Sequence, residues 1–457
     1  MLAIAIASWA CYAGLLLMIV RYGLARERIG LIVVATIMLI VSAVRPPIYF
    51  LGLDVPHPQS HFSEREWELV AVANLTLMAW VSVILVAYVF GAWPARFISL
   101  FFPSRMIGQQ RETWNLGVFM VVAAPFALSI LGTIILLNEH GGFAGLTYAS
   151  KVGKELKGLF AIRAAGSLAS VLALYGLLTS MRTGSDGKLR MSPMGWVYLG
   201  MVLLAMTSNF AWGNRYSIAL ILLGFLTTVH FYLRRFRLWE VLALGLFFAT
   251  VLQGLKLLRF DLLSEVAGKD VSVLEGFWLT ISLSLHFAEF DAFMLALRDT
   301  GSLFDFRAGQ DFINGLLSWV PRSILPAKES FHIGPWFRQI YEPWTINGWP
   351  VTTAGSWYVN FGPIGIVLGG GLAGLFLRAY DMAFDKVRTN PWHAAIGPGL
   401  AFFLFEGGVS TGFLQFYVLY AVPLYLALFW VVMGSARKSR VQAMRTGRGQ
   451  TPVLSWQ

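Results

Sequence analysis

Apolar stretches of roughly twenty residues recur along the whole chain, and this constrains the fold more than any other feature. A helix of that length spans the hydrocarbon core of a bilayer. In that solvent every backbone N–H and C=O must be satisfied within the protein. The period and length of the runs predict about eleven spans, near residues 2–20, 29–45, 68–92, 114–137, 159–181, 194–212, 216–233, 238–258, 353–378, 393–413 and 415–434. Composition agrees: 57% of residues are hydrophobic and 13% charged, against about a quarter charged in soluble domains. The expected fold class is therefore an all-α polytopic membrane protein with one transmembrane domain over 1–436 and a basic tail over 437–457.

A net charge of +11 could suggest nucleic acid, but the positions of the basic residues point to the membrane instead. With the N-terminus outside, each short cytoplasmic connection is basic. They hold Arg21, Arg26 and Arg28; Arg96, Arg105 and Arg111; Arg182, Lys188 and Arg190; Arg234, Arg235 and Arg237; and Arg378, Lys386 and Arg388. The tail adds Arg437, Lys438, Arg440, Arg445 and Arg448 on the same side. The opposite orientation would place these clusters outside and violate the positive-inside rule. The first run has no basic segment before it, so no cleavable signal peptide is expected. The single cysteine, Cys11, excludes an intrachain disulfide framework and a cysteine-rich metal site.

Residues 259–352 form the one long connection, on the outer side. Loops of that length are functional or disordered. Disordered segments are poor in aromatics, whereas this one carries "FINGLLSWVPRSILP" and "GPWFRQIYEPWTINGWP". An ordered periplasmic cap lying against the bilayer is expected. Within it, 273–297 is apolar enough to span but holds Glu275, His286, Glu289 and Asp291, which are costly in lipid. An interfacial or re-entrant helix is the preferred reading, with a full span as the alternative.

Several cations gather on the outer side. Arg215 stands in "GNR", between two apolar runs. Lys256 and Arg259 share one face in "GLKLLRFD", and Arg322 and Lys328 lie in the proline-bracketed "WVPRSILPAKES". Each could simply snorkel to water. Together they suit an anionic ligand, and the planar fork of arginine matches phosphate oxygens. Fewer carboxylates are available. His286 and Glu289 share a helical face, and either could act as a general base or pair with an arginine. Glu406, in the tenth run, is a further intramembrane acid; it could equally pair with Arg163. Gly365, Gly369, Gly370 and Gly374 have the small-xxx-small spacing of close helix packing. No phosphate loop, HExxH, GxSxG or acidic metal box is present, so neither a metal nor another cofactor is expected.

The order "GNR", long outer loop, "VPRSILPAK", then "TTAGSWYVNFGPIG" leading into a glycine-rich span resembles the bacterial oligosaccharide repeat-unit polymerases of the Wzy type, over roughly residues 200–425. Members polymerise O-antigen or enterobacterial common antigen. The resemblance implies a glycosyltransferase C-like fold in the bacterial inner membrane, with undecaprenyl-diphosphate-linked glycans as substrates and a chain-length-regulating co-polymerase as a possible partner. It implies an inverting, metal-independent transfer at the periplasmic face. Arg215, Arg259, Arg322 and Lys328 match its basic positions and Glu289 its loop acid. Two positions depart from the family pattern: Ser356 where many members have an acid, and Glu329 where a proline is usual. The competing readings are an O-antigen ligase, which uses the same donor with a lipid A-core acceptor, and a flippase or transporter for the lipid-linked unit.

Overall fold

The computed structural model describes residues 1–51, 66–99, 116–149, 189–212, 215–230, 235–245, 288–317, 333–344 and 348–384, with scattered positions at 162–183, 247, 320 and 324–325. It is built of helices. Among the described residues five are long and apolar enough to cross a bilayer: Leu2–Arg26, Ile29–Phe50, Trp67–Phe90, Pro193–Ala211 and Thr353–Ala383. The protein is an α-helical membrane protein. A two-stranded hairpin departs from the all-helical expectation. It pairs Met181–Thr183 (β1) with Leu189–Met191 (β2) in antiparallel register.

The first bundle contains α1 (Leu2–Arg26), α2 (Ile29–Met38), α3 (Arg45–Phe50), α4 (Trp67–Phe90) and α5 (Ala92–Ser99). A π-helical turn, Leu39–Ala43, joins α2 to α3, so the second run continues to Phe50 instead of stopping near 45. Its apolar core joins Tyr12, Leu16, Leu31, Val34, Leu77, Trp80, Val81 and Ile84. The second group comprises α6 (Leu116–Glu139), α7 (Phe143–Tyr148), α8 (Pro193–Ala211) and α9 (Arg215–Thr228). Hydroxyls join α6 to α8: Ser208 lies 3.0 Å from Ser129 and 2.8 Å from Thr133. The Trp212 indole also donates to Thr133 at 2.9 Å.

Polar contacts fix the direction of each helix. At one end Glu27, just after α1, pairs with Arg235 at 2.7 Å. At that same end the Gly30 amide donates to Asp381 at 3.1 Å, and the Tyr88 hydroxyl donates to it at 2.6 Å. At the other end Glu66, just before α4, pairs with Arg298 at 3.2 Å. Helices α1 and α4 therefore run toward the Glu27 end and α2 runs back. The α9 segment from Arg215 to His230 is about 22 Å long at 1.5 Å per residue, so Arg215 opens it at the far end from Glu27.

The cap and the last described span follow: α10 (Ala288–Asp299), α11 (Gln310–Leu316), α12 (Ile333–Tyr341) and α13 (Thr353–Phe384). The ninth run corrects its simple reading as one straight span from 353. At Gly362 the backbone turns to φ 63°, ψ −149°, a region open essentially to glycine, and Pro363 starts a second arm. A Cβ on Gly365 would lie 2.1 Å from the Trp357 carbonyl oxygen, and one on Gly369 would lie 2.4 Å from the Trp357 ring. Residues eight apart in a straight helix are about 12 Å apart, so the first arm doubles back on the second. The second arm packs tightly on α4. Cβ atoms on Gly370 and Gly374 would sit 3.2 Å from the Trp80 carbonyl oxygen and 2.3 Å from that of Ile84. The glycine spacing is thus a close helix contact.

Candidate functional site

Of the residues singled out in the sequence, Glu289 is described in full and Arg215 only in its backbone. His286, Lys256, Arg259, Arg322, Lys328, Glu406 and Arg163 lie outside the described residues. The structure therefore locates the acid of the candidate site without gathering its cations.

Glu289 is buried in the first described turn of α10. Nine residues on, Arg298 reaches Glu66 at the mouth of α4, so α10 descends from that mouth into the bundle by about 14 Å. Glu289 there lines a cleft with Ile37, Met38, Val41, Ser42, Leu77, Trp80, Thr352, Thr353 and Ala354. The cleft is narrow and partly open, with room for about one water-sized group. Trp80 lies about 20 Å along α4 from Trp67, which puts the cleft near the middle of that helix. The described part of 273–297, residues 288–297, thus runs down into the bundle. It does not lie flat on the surface.

Two irregularities of the backbone meet at this cleft. One is the π-helical turn that carries Ser42; such turns are frequent at functional sites. Ser42 is held by the Tyr12 hydroxyl at 2.6 Å while it donates to the Met38 carbonyl at 2.7 Å. A second is the start of α13. Residues 350–352 lie outside any helix or strand and lead into α13, and Thr352 caps the helix, its Oγ1 accepting from the Gly355 amide at 3.0 Å. The first amides of α13 have no acceptor within the helix, as at any helix start, and the macrodipole makes this end of the cleft positive.

A buried ion pair fixes the depth of α10. Arg45 and Asp291 are both fully buried, and the Arg45 Nη2 donates to Asp291 at 2.8 Å with Nε at 3.1 Å. The Tyr49 hydroxyl donates to the other carboxylate oxygen. Sequence reasoning weighed an arginine partner for Glu289 and did not weigh one for Asp291, two residues on. It also missed Arg45, Tyr49, Ser42, Trp80 and Thr352. The clue available was "RPP" at the end of the second run, where an arginine followed by two prolines closes an apolar helix.

Above the cleft the cap is closed by polar clasps. Arg307 pairs with Asp311 at 2.9 Å and lies 4.0 Å over the Trp336 ring. Asn360 joins the first arm of α13 to α11: its amide donates to Asp311 at 2.9 Å and its oxygen accepts from the Gly309 amide at 3.1 Å. Tyr341 donates to Asp299 at 2.5 Å. Burial first, and then that carboxylate, hold its phenol far above the usual range, so it remains a donor at physiological pH. Ile333, Phe337, Trp349 and Val351 pack beneath these clasps with Ala292 and Leu295 of α10.

No protein-family model, curated protein or solved structure matches the chain. Among the described residues no group of three His, Cys, Asp or Glu could hold a metal ion.

Proposed function

We propose that this protein polymerises undecaprenyl-diphosphate-linked oligosaccharide repeat units at the periplasmic face of a bacterial inner membrane. It would be an inverting glycosyltransferase of the Wzy type with a glycosyltransferase C-like fold of about eleven spans. The observation that carries the reading is the position of Glu289. This carboxylate lies at the foot of an ordered aromatic cap, in a cleft inside the bundle, below the end at which Arg215 opens α9.

In the proposed reaction an acceptor sugar hydroxyl attacks the anomeric carbon of the growing chain. Its proton passes to Glu289, with His286 as the rival base. The anomeric C–O bond to the diphosphate breaks, and undecaprenyl diphosphate leaves with that electron pair. Arg215, Arg259, Arg322, Lys256 and Lys328 would balance the leaving charge, as oriented cations do in a water-poor site. The partner is the lipid-linked glycan, with a co-polymerase setting chain length.

Purified protein reconstituted with lipid-linked repeat units should yield a ladder of longer lipid-linked glycans. Glu289→Gln should slow its formation by about 10²–10⁴-fold, the usual worth of a general base. A ladder unchanged by that substitution would remove Glu289 from the chemistry. Glycan joined to lipid A-core instead would make the protein a ligase.

One observation favours a second reading, a transporter of the lipid-linked unit. A helix that starts near mid-bundle beside a buried acid, as α13 does at Thr353, is also how transporters build their central sites. Movement of the intact lipid-linked unit across a vesicle membrane, with no ladder, would establish it.

A further inference from the structure

The short helix α5 begins where the hydrocarbon core of a bilayer ends. From Trp67 to Phe90, α4 has 24 residues and is about 36 Å long, already more than the roughly 30 Å of apolar core. Past Gly91 the chain therefore continues at the level of the lipid headgroups, at the Glu27 end. A Cβ on Gly91 would lie 2.2 Å from the Leu375 side chain, so α5 leaves α4 pressed against α13. Ala95, fully buried, marks the packed side of α5.

The other side is open and mixes apolar rings with a charge. Trp93 is 83% exposed and Phe97 66%, and Arg96 is exposed between them on the same face. Arg96 makes no ion pair among the described residues. The same combination recurs on two other elements of that end. Arg21 stands beside the exposed Tyr22 on α1, and Arg237 lies near the exposed Trp239, two residues beyond the Arg235–Glu27 pair.

Water alone would leave the Trp93 and Phe97 rings wet, and hydrocarbon would strip the hydration from Arg96. The headgroup layer suits both. Tryptophan rings settle at that level, and the planar fork of arginine matches phosphate oxygens. The charge decides which phospholipid. Arg21, Arg96 and Arg237 are cations without an acid partner among the described residues, so they favour an anionic headgroup over one that carries its own positive group.

We propose that α5 is an interfacial helix that seats the headgroup of an anionic phospholipid, its phosphate on Arg96 and its upper carbons against Trp93 and Phe97. Such a seat would serve a polymerase and a transporter alike, so it stands apart from the reaction proposed above.

The test uses full-length protein in micelles holding equal amounts of phosphatidylglycerol and phosphatidylcholine. Native mass spectrometry then counts the lipid that stays bound. Phosphatidylglycerol should be kept in preference. Arg96→Gln should lower that preference about fivefold, the usual worth of one basic side chain at an anionic surface. Trp93→Ser keeps every charge and should also weaken retention, because it removes a ring on which the lipid rests. Both changes fall on an exposed face, and thermal scans confirm that each variant is folded. An unchanged preference in Arg96→Gln would overturn the proposal. A loss in Arg96→Gln with none in Trp93→Ser would also overturn it, since diffuse charge would then account for the attraction. Hydrogen exchange in nanodiscs reads the same contact on the unaltered chain. The α5 amides should exchange more slowly in phosphatidylglycerol than in pure phosphatidylcholine. Equal exchange in the two lipids would overturn the seat and leave the open face to a protein partner.

Discussion

At the scale of single residues, the most consequential contact is between two side chains that the sequence gives no reason to pair. Arg45 opens α3 and Asp291 lies in α10, yet both are fully buried and joined at 2.8 Å. Desolvating two ions is expensive, and their attraction only offsets that cost when the geometry is good and the remaining lone pairs are used. Here the bidentate arginine and the Tyr49 hydroxyl supply those bonds. Breaking such a pair strands a charge. Arg45→Ala should therefore destabilise the protein by about 3–5 kcal/mol. The double change Arg45→Met with Asp291→Leu should recover most of that, since it leaves neither charge behind. Unfolding in mixed micelles measures both. A single change worth less than about 0.5 kcal/mol would show that the pair is not held dry. Because Asp291 lies two residues from Glu289, the stable double variant also tests whether the pair sets the depth of the acid. Its ladder formation should fall even where its stability does not.

At the scale of elements, the sequence is legible where chemistry acts locally and silent where the chain folds back. The long apolar helices α1, α4 and α8 appear within a few residues of their predicted bounds, because length and hydropathy are local properties. The glycine spacing of α13 likewise reads as close packing and is close packing. The doubling back at Gly362 is less legible. "FGPIG" announces a break, but a proline after a glycine is equally the start of an ordinary span. Only the seating of Trp357 against Gly365 and Gly369 distinguishes the two. The acidic run around Glu289 is legible as a cost to be explained, and at Asp291 the protein meets that cost with the Arg45 and Tyr49 side chains in place of lipid. What the sequence could not supply is which partner, since Arg45 comes from a helix 246 positions away. The Gly362 turn yields a sharp expectation. A Cβ there would meet Phe306 at 3.1 Å and would have to occupy φ 63°, ψ −149°. Gly362→Ala should cost about 1–3 kcal/mol of strain. Cutting Phe306 to Ala in the same chain should not restore the loss, because the backbone term remains. Thermal scans of the two variants separate backbone strain from crowding, and full rescue by Phe306→Ala would assign the effect to crowding.

At the scale of the whole molecule, the contacts that fix helix direction also sort the loops into two sets. Glu27, Arg235 and Asp381 meet at one end, and Glu66, Arg298 and the cap lie at the other. Helices α1, α4 and the second arm of α13 all run toward the Glu27 end, so an odd number of crossings must separate α4 from that arm. The basic residues of 21–28 and 235–237 belong to the Glu27 end, and the positive-inside rule predicts that this end is cytoplasmic. On that prediction the cap, with Leu303, Trp344 and Ile324 exposed, is expected on the periplasmic side. Single cysteines read this assignment directly. Cys11 is exposed on the first helix and must be replaced by Ser before any label is introduced. In intact cells a membrane-impermeant maleimide should then label Ser302→Cys in the cap. It should leave Ser99→Cys, at the end of α5, unlabelled until the inner membrane is opened. Labelling of Ser99→Cys in intact cells, with Ser302→Cys silent, would invert the protein. It would then turn the Glu289 cleft toward the cytoplasm, where the proposed lipid-linked donor is not presented. A periplasmic polymerase requires the first pattern, so this measurement bears on function as directly as any substitution in the cleft.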